Sequence, residues 1–445
     1  MSSILEINPV ASLEGELRAP SDKSLTHRAY MFAGIASGDS IVRQPLRGED
    51  CESTLACMNQ LGLRHFWLSD TEVRLTPPKE WQQPTSHLDC GNSGTTMRLI
   101  SGLLASRHLD CTLIGDASLS KRPMKRIGEP LRLMGATFEG DTPPIRIVGG
   151  SLMAIDYTSP VASAQVKSCC LLAGLRATGV TTVTEPSLSR DHTERMLRAM
   201  GAHVVRSGDT TDHDPLDHTS SKVAHLHPSV AIHPTQTLHP FEFTVPADIS
   251  SAAFFIVAAA ILPEARLGLL DLSVNPTRTG IFDVLEQCRV PFEMGNYRDE
   301  LGEPVADAII GYARDPQPFT IEGSLVPRLI DEIPVLAVLA TQCMGTSIIR
   351  DARELRVKES DRIELVADGL RRMGAVVETF EDGMAISGPT ALTAAHIEAN
   401  GDHRIAMAFA IAGLVAQGTT TISGAESIAT SYPNFESDLM RLTIV

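Results

Sequence analysis

A chain of 445 residues is longer than one hydrophobic core usually serves, so two domains are expected. With 43% hydrophobic and 21% charged residues the composition is that of an ordinary globular protein. The formal net charge of −16 disfavours a nucleic-acid partner, which calls for basic surface, and obliges any anionic ligand to be gripped by local cations against the overall field. No apolar run approaches the roughly 18 residues of a membrane span, so no membrane partner is expected. The first residues, MSSILEINPV, lack the basic-then-apolar pattern of a secretory signal. Eight scattered cysteines, without a C-x-x-C, suit reduced thiols and a cytoplasmic location.

Along the chain one pattern recurs: a small-residue helix end, a turn and a β-branched strand. It reads MFAGIASGDSIV (31–42), LLASRHLDCTLI (103–114), LLAGLRATGVTTV (171–183), VLATQCMGTSII (338–349) and IAGLVAQGTTTI (411–422), with a weaker copy at 257–272. A second pattern interleaves with it, an amphipathic helix closed by a glycine or polar cap before a strand, as in LRLMGATFE (131–139), LRAMGAHVV (197–205) and LRRMGAVVE (370–378). Alternating strands and helices in about six units make the class α/β, as two domains of three units each. Residues 20–243 are expected to form the first domain, and 1–19 with 244–445 the second. The stretch 207–240 holds six of the fourteen histidines. It reads as a solvated loop or hairpin, since its spacing matches no metal-ligand pattern.

Several helix starts carry chemistry. In PSDKSLTHR (20–28), Lys23, Ser24 and Arg28 sit in the first turns of a helix, where backbone amides favour anions. GNSGTTMRL (91–99) lets backbone amides approach an oxyanion closely around Gly94, but it is neither a Walker loop nor a dinucleotide fingerprint. LSKRPMKRI (119–127) puts Arg122 beside Pro123, read as the first turn of a helix, with Lys125 and Arg126 able to face solvent. Ser163 and Gln165 enter another helix, Ser189 and Arg190 precede the next, Asp331 and Glu332 lead into an apolar one, and Asp402, His403 and Arg404 head the last. Taken singly, each is better read as helix capping. Taken together, they point to two domains whose positive helix ends face each other across one charged gap, a natural place for a small phosphorylated polyanion. RVKESDRI (356–363) carries two arginines, a lysine, a glutamate and an aspartate on what reads as a helix start. There Lys358, Glu359 and Arg362 share one face, while Arg356, Asp361 and Glu364 are solvent-side or structural.

These motifs, in this order and over nearly the whole chain, resemble the 5-enolpyruvylshikimate-3-phosphate synthases. SRDHTERM and DEIPVLA are similar to the bacterial variants grouped as class II. The resemblance implies two inside-out α/β domains, each of three βαβαββ repeats with helices buried at the centre. It implies transfer of the enolpyruvyl group of phosphoenolpyruvate to the 5-hydroxyl of shikimate 3-phosphate, with release of phosphate, by a monomer without metal or organic cofactor. Lys23, Gly94, Arg122, Gln165, Arg362 and Arg404 would contact phosphoenolpyruvate. Lys23, Ser24, Arg28, Ser163, Gln165, Asp331 and Lys358 would hold shikimate 3-phosphate, with Ser189 and Arg190 as further contacts. Asp331 would act as base toward the 5-hydroxyl, and Glu359 would protonate the methylene carbon, with Lys23 the alternative donor. Glyphosate sensitivity would follow from Gly94, where alanine would crowd the inhibitor.

The segment SIATSYPNF (427–435) lacks the lysine that many relatives carry there. Two rival readings remain: a UDP-N-acetylglucosamine enolpyruvyl transferase, or a non-catalytic anion-binding or nucleic-acid-processing protein on the same repeat. GDASLSKRPM (115–124) has no cysteine of the kind the first rival uses, and the net acidity counts against the second.

Overall fold

The computed structural model describes residues 4–207, 228–235 and 237–444. The chain divides into two compact units. One comprises Ser21–Val245 with Asp299–Glu303, and is called the first unit below; Met1–Pro20, Pro246–Arg298 and Pro304–Val445 form the second.

The first unit contains three four-stranded sheets of one design. In the middle one, strand Leu88–Asp89 leads into helix Gly94–Ala105, and strand Asp110–Ile114 returns parallel to it. Helix Lys125–Leu133 and the antiparallel strands Thr137–Glu139 and Ile145–Val148 complete the repeat. The third repeat runs likewise from strand Asp156–Thr158 to strand Ser229–Ile232. In the first repeat the leading strand comes last in the chain: Glu242–Thr244 pairs parallel with Ser40–Arg43 and so closes a cycle about 200 residues long.

Each repeat has one inner and one outer helix. Inner helices Lys23–Ala33, Gly94–Ala105 and Ala164–Gly174 are buried beyond their first turns, whereas outer helices such as Lys125–Leu133 keep a polar face in water. The inner set touches backbone to backbone. A Cβ built on Gly102 would lie 2.3 Å from the carbonyl oxygen of Cys169, so only glycine permits this approach.

The second unit repeats the plan with more apolar helices. Every residue of Ile249–Ile261 and Ile333–Ala340 is buried, and so is all of His403–Leu414 except Arg404. Helices that are apolar all round have to sit in a core, so here the sheets lie outside and the helices inside. One sheet has four strands, from Thr320–Ile321 to Gly383–Ser387. The other two borrow from the N-terminal segment: Ser12–Leu17 pairs parallel with Arg266–Ser273 and antiparallel with Thr443–Ile444. Ile4–Ile7 pairs antiparallel with Thr420–Ser423.

Much of the histidine-rich stretch, 208–227 and residue 236, lies outside the described residues. The described part is the hairpin arm of the expected loop or hairpin, but it is not solvated. Ser229–Ile232 pairs antiparallel with Val204–Arg206, is an inner strand of its sheet, and is alternately half-buried and buried, and His233 stacks on His203 with ring centroids 4.0 Å apart. Among the described residues no three His, Cys, Asp or Glu are arranged to hold a metal ion, and no helix is long and apolar enough to cross a membrane. All eight cysteines are buried free thiols.

Candidate active site

In the first unit the heads of the three inner helices gather at one end. Asp22, Ser93 and Ser163 cap them, their side-chain oxygens accepting from the backbone N–H of Leu25 (2.9 Å), Thr96 (3.1 Å) and Val166 (3.5 Å). The partly exposed Lys23 ammonium lies 3.1 Å from Asp50 Oδ2, which enters from the outer helix Glu49–Gln60. Burial alone would raise the Asp50 carboxyl, but the charge and hydrogen bond of Lys23, with His27 and Arg122, together hold the group below its usual range.

Around Gly94 two guanidinium groups converge. A Cβ there would stand 3.0 Å from Arg98 Nη1 and 3.6 Å from Arg122 Nη1, so the missing side chain lets both guanidinium groups close on the Gly94 backbone. Arg122 donates to the Asn92 side-chain and backbone oxygens. It does not stand at a helix mouth as the sequence suggested. The helix begins at Lys125 with Met124 as its cap, and Arg122 sits in extended backbone after a short 3-10 turn. Arg98 donates to Gln165 Oε1 at 2.5 Å, and Gln165 Nε2 donates to Thr95 Oγ1 at 3.0 Å, so Gln165 is locked between two helix heads.

Arg28 is buried, and burial pushes its pKa down to about 10. Its Nε donates to Thr193 Oγ1 (2.8 Å), its Nη2 to Ser168 Oγ (3.1 Å) and its Nη1 to the Ser24 carbonyl (3.0 Å). In this structure it braces helix heads from beneath. Ser163 and Ser189 both bond Glu185, and Arg190 lies half-buried beside them in the chain.

In the second unit a single arginine organises the chemistry. Arg362 is 1% exposed. Its Nε donates to Asp402 Oδ2 (2.8 Å), Nη1 to Asp331 Oδ1 (3.3 Å) and Nη2 to Glu359 Oε2 (2.6 Å). Asp402 also caps helix His403–Leu414, accepting from Arg404 N at 2.9 Å, while Arg404 Nη1 donates to the Asp331 carbonyl at 3.2 Å. Lys358 Nζ is 3.6 Å from Asp331 Oδ1. A second knot joins the other heads: Arg278 bonds Asp248 Oδ1 (3.0 Å) and Ser250 Oγ (2.6 Å), and Ser250 in turn donates to Glu332.

The octet 356–363 is not the helix start its sequence suggested. A 3-10 turn ends at Val357, residues 358–361 are non-helical, and the helix begins at Arg362 with Asp361 as its cap. Lys358 and Glu359 therefore reach Asp331 and Arg362 from a loop rather than from a shared helix face. Arg356 is structural: it pairs with Asp361 and Glu364 and donates to the carbonyls of Phe380 and Glu381.

Burial would raise the Glu359 carboxyl, but Arg362, His403 and Lys358 override it and hold the group far below the usual carboxylate range. Asp402 is likewise net-lowered by Arg362 despite its burial. Glu359 is thus a carboxylate at neutral pH, which is the wrong form for a proton donor. The uniformly positive helix mouths expected from sequence are also tempered. Lys23, Lys167, Arg278, Lys358 and Arg362 each sit within ion-pair distance of a carboxylate, as burial of charge demands.

Two cyclic sets of strand–helix repeats around buried helices, with cations and carboxylates at the helix heads, define the enolpyruvyl transferase class. The solved enolpyruvyl transferase NikO from Streptomyces tendae shares the fold, with a TM-score of 0.75 at 17% identity over 99% of this chain and 97% of that one. A family model, EPSP synthase (3-phosphoshikimate 1-carboxyvinyltransferase), matches residues 7–439. A 3-phosphoshikimate 1-carboxyvinyltransferase of Bacillus cereus (strain AH187) is 46% identical over 443 residues, covering 98% of this chain and 99% of the relative. A solved EPSP synthase from Acinetobacter baumannii is 41% identical with a TM-score of 0.87, covering 100% and 99% of the two chains. The chain belongs to the EPSP synthase family.

Arg98, Asp50, Lys167 and Glu185 were not singled out from sequence. Arg98 had a signal: it stands four residues after Gly94 on one helix, and helical side chains lean back toward the N-terminus. Lys167 stands in the same relation to Ser163. Asp50 and Glu185 meet their partners through the fold, and nothing local marks them.

Proposed function

We propose that this protein transfers the enolpyruvyl group of phosphoenolpyruvate to the 5-hydroxyl of shikimate 3-phosphate and releases phosphate. The observation that carries the reading is the family match over residues 7–439, which spans every candidate site residue placed above. Lys23, Gly94, Arg122, Gln165, Arg362 and Arg404 bind phosphoenolpyruvate, whose clustered carboxylate and phosphate suit guanidinium forks and helix N–H groups. Lys23, Ser24, Arg28, Ser163, Gln165, Ser189, Arg190, Asp331 and Lys358 serve shikimate 3-phosphate.

Addition requires removal of the 5-hydroxyl proton as its oxygen attacks C2 of phosphoenolpyruvate, and delivery of a proton to C3. Asp331 is the base. What supports it is a half-buried carboxylate held by two cations, so it is oriented yet still reachable. Lys23 is the donor: its partly exposed amine stands at the head of an inner helix, 3.1 Å from Asp50, whereas the cations around Glu359 hold that group as a carboxylate. The second half of the reaction breaks the bond from C2 to phosphate while C3 returns a proton to the Lys23 amine, which restores the C2–C3 double bond, and the surrounding cations stabilise the phosphate as its charge develops. Glu359→Gln is then expected to keep turnover within about tenfold, well short of the ~10²- to 10⁴-fold loss that removal of a general acid brings. A loss of that larger size would return the donor role to Glu359.

The function is tested by incubating the protein with phosphoenolpyruvate and shikimate 3-phosphate and following phosphate release. Release only with UDP-N-acetylglucosamine as acceptor, or with neither acceptor, would overturn it.

A further inference from the structure

Resting on that function, we infer that Glu185 is a positioning residue for shikimate 3-phosphate. Its carboxylate, anchored by Lys167, fixes the Ser163 backbone and the Ser189 hydroxyl in the arrangement that receives the substrate. Glu185 follows strand Thr181–Thr184 and is 2% exposed. Its Oε1 accepts the Ser163 N–H at 3.0 Å and the Ser189 hydroxyl at 2.7 Å. Its Oε2 lies 2.8 Å from the same hydroxyl and 2.9 Å from Lys167 Nζ. Lys167, 3% exposed, also meets Glu194 Oε1 at 2.9 Å and donates to the Ser189 carbonyl at 3.3 Å.

The network is expensive as mere scaffolding. An apolar trio of similar volume would join these three elements at least as well as a buried lysine with two carboxylates. Its directional bonds explain the choice. Both Glu185 oxygens are committed to groups on residues assigned to substrate, and Glu194 and Arg28 complete a balanced set of two cations and two anions. The loop from Glu185 to Arg190 therefore holds one conformation before substrate arrives, so binding need not order it.

Steady-state kinetics with each substrate varied separately tests this. Glu185→Gln keeps one acceptor oxygen, replaces the other with an NH2 donor and loses the charge that faces Lys167. It is expected to raise KM for shikimate 3-phosphate by about 10- to 100-fold, the range for losing hydrogen bonds to a charged group, with kcat and the KM for phosphoenolpyruvate far less affected. Combined with Ser189→Ala it should be little worse than the worse single variant, because both break one network. Glu185→Asp keeps the charge and the fold but shortens the reach, and should show the same KM split at an unchanged unfolding temperature. It decides the matter if the glutamine variant does not fold. An unmoved KM for shikimate 3-phosphate in the folded variants, equal rises for both substrates, or additive effects would overturn the positioning role while wild-type turnover stands. Absence of wild-type turnover would instead overturn the function itself, and this inference with it.

Discussion

Arg362→Met is expected to destabilise the second unit by about 3–5 kcal/mol at pH 7, the usual cost of removing one member of a buried charge cluster. The side chain is 1% exposed and its partner Asp402 is fully buried, so water cannot replace the lost guanidinium. Asp331, Glu359 and Asp402 would be left facing one another. The pH dependence gives a sharper test. Glu359 and Asp402 have folded-state pKa values below their unfolded ones, so their contribution is complete above the unfolded pKa and is lost as pH falls through the folded pKa. Removing Arg362 abolishes that depression. The gap between wild type and variant, read from urea unfolding, should therefore be widest near neutrality and close as pH drops below about 4, where carboxylates protonate. A gap that stays constant with pH would mean that the loss comes from packing alone.

Asp331→Asn should lower kcat for phosphate release by roughly 10²- to 10⁴-fold with the fold intact, as expected for loss of a general base. The amide has nearly the same shape, and Arg362 keeps Glu359 and Asp402 as partners. Folding and chemistry are thus separable at this position, which they are not at Arg362. Turnover close to wild type would move the base elsewhere.

The repeat was legible because its inner helices end in small and apolar residues while its outer ones are amphipathic. Ile249–Ile261, buried at all positions, and Lys125–Leu133, with its solvated face, follow different periodicities. Candidate residues at helix starts were legible for the same local reason, since caps and basic residues precede apolar turns. The boundaries were harder. Asp361 and Met124 set helix starts that charge and proline patterns placed too early. The supporting groups were hardest, since Arg98 reaches Gln165 across 67 residues and Lys167 reaches Glu194 across 27. Such partners are set by how the repeats stack. Spacing put Glu359 beside Arg362, but not the near-complete burial of that guanidinium, on which the protonation state of Glu359 depends.

The borrowed strands have a bearing on biosynthesis. Ile4–Ile7 and Ser12–Leu17 are made more than about 400 residues before their partners Thr420–Ser423 and Thr443–Ile444. At ribosomal speeds of 5–20 residues per second, the leading strands wait about 20 to 90 s for those mates. Throughout that interval the edges that await those mates are open to stray pairing, although Ser12–Leu17 can take up Arg266–Ser273 on its other side sooner. The acidic residues Glu6, Glu14 and Glu16 then discourage association between nascent copies.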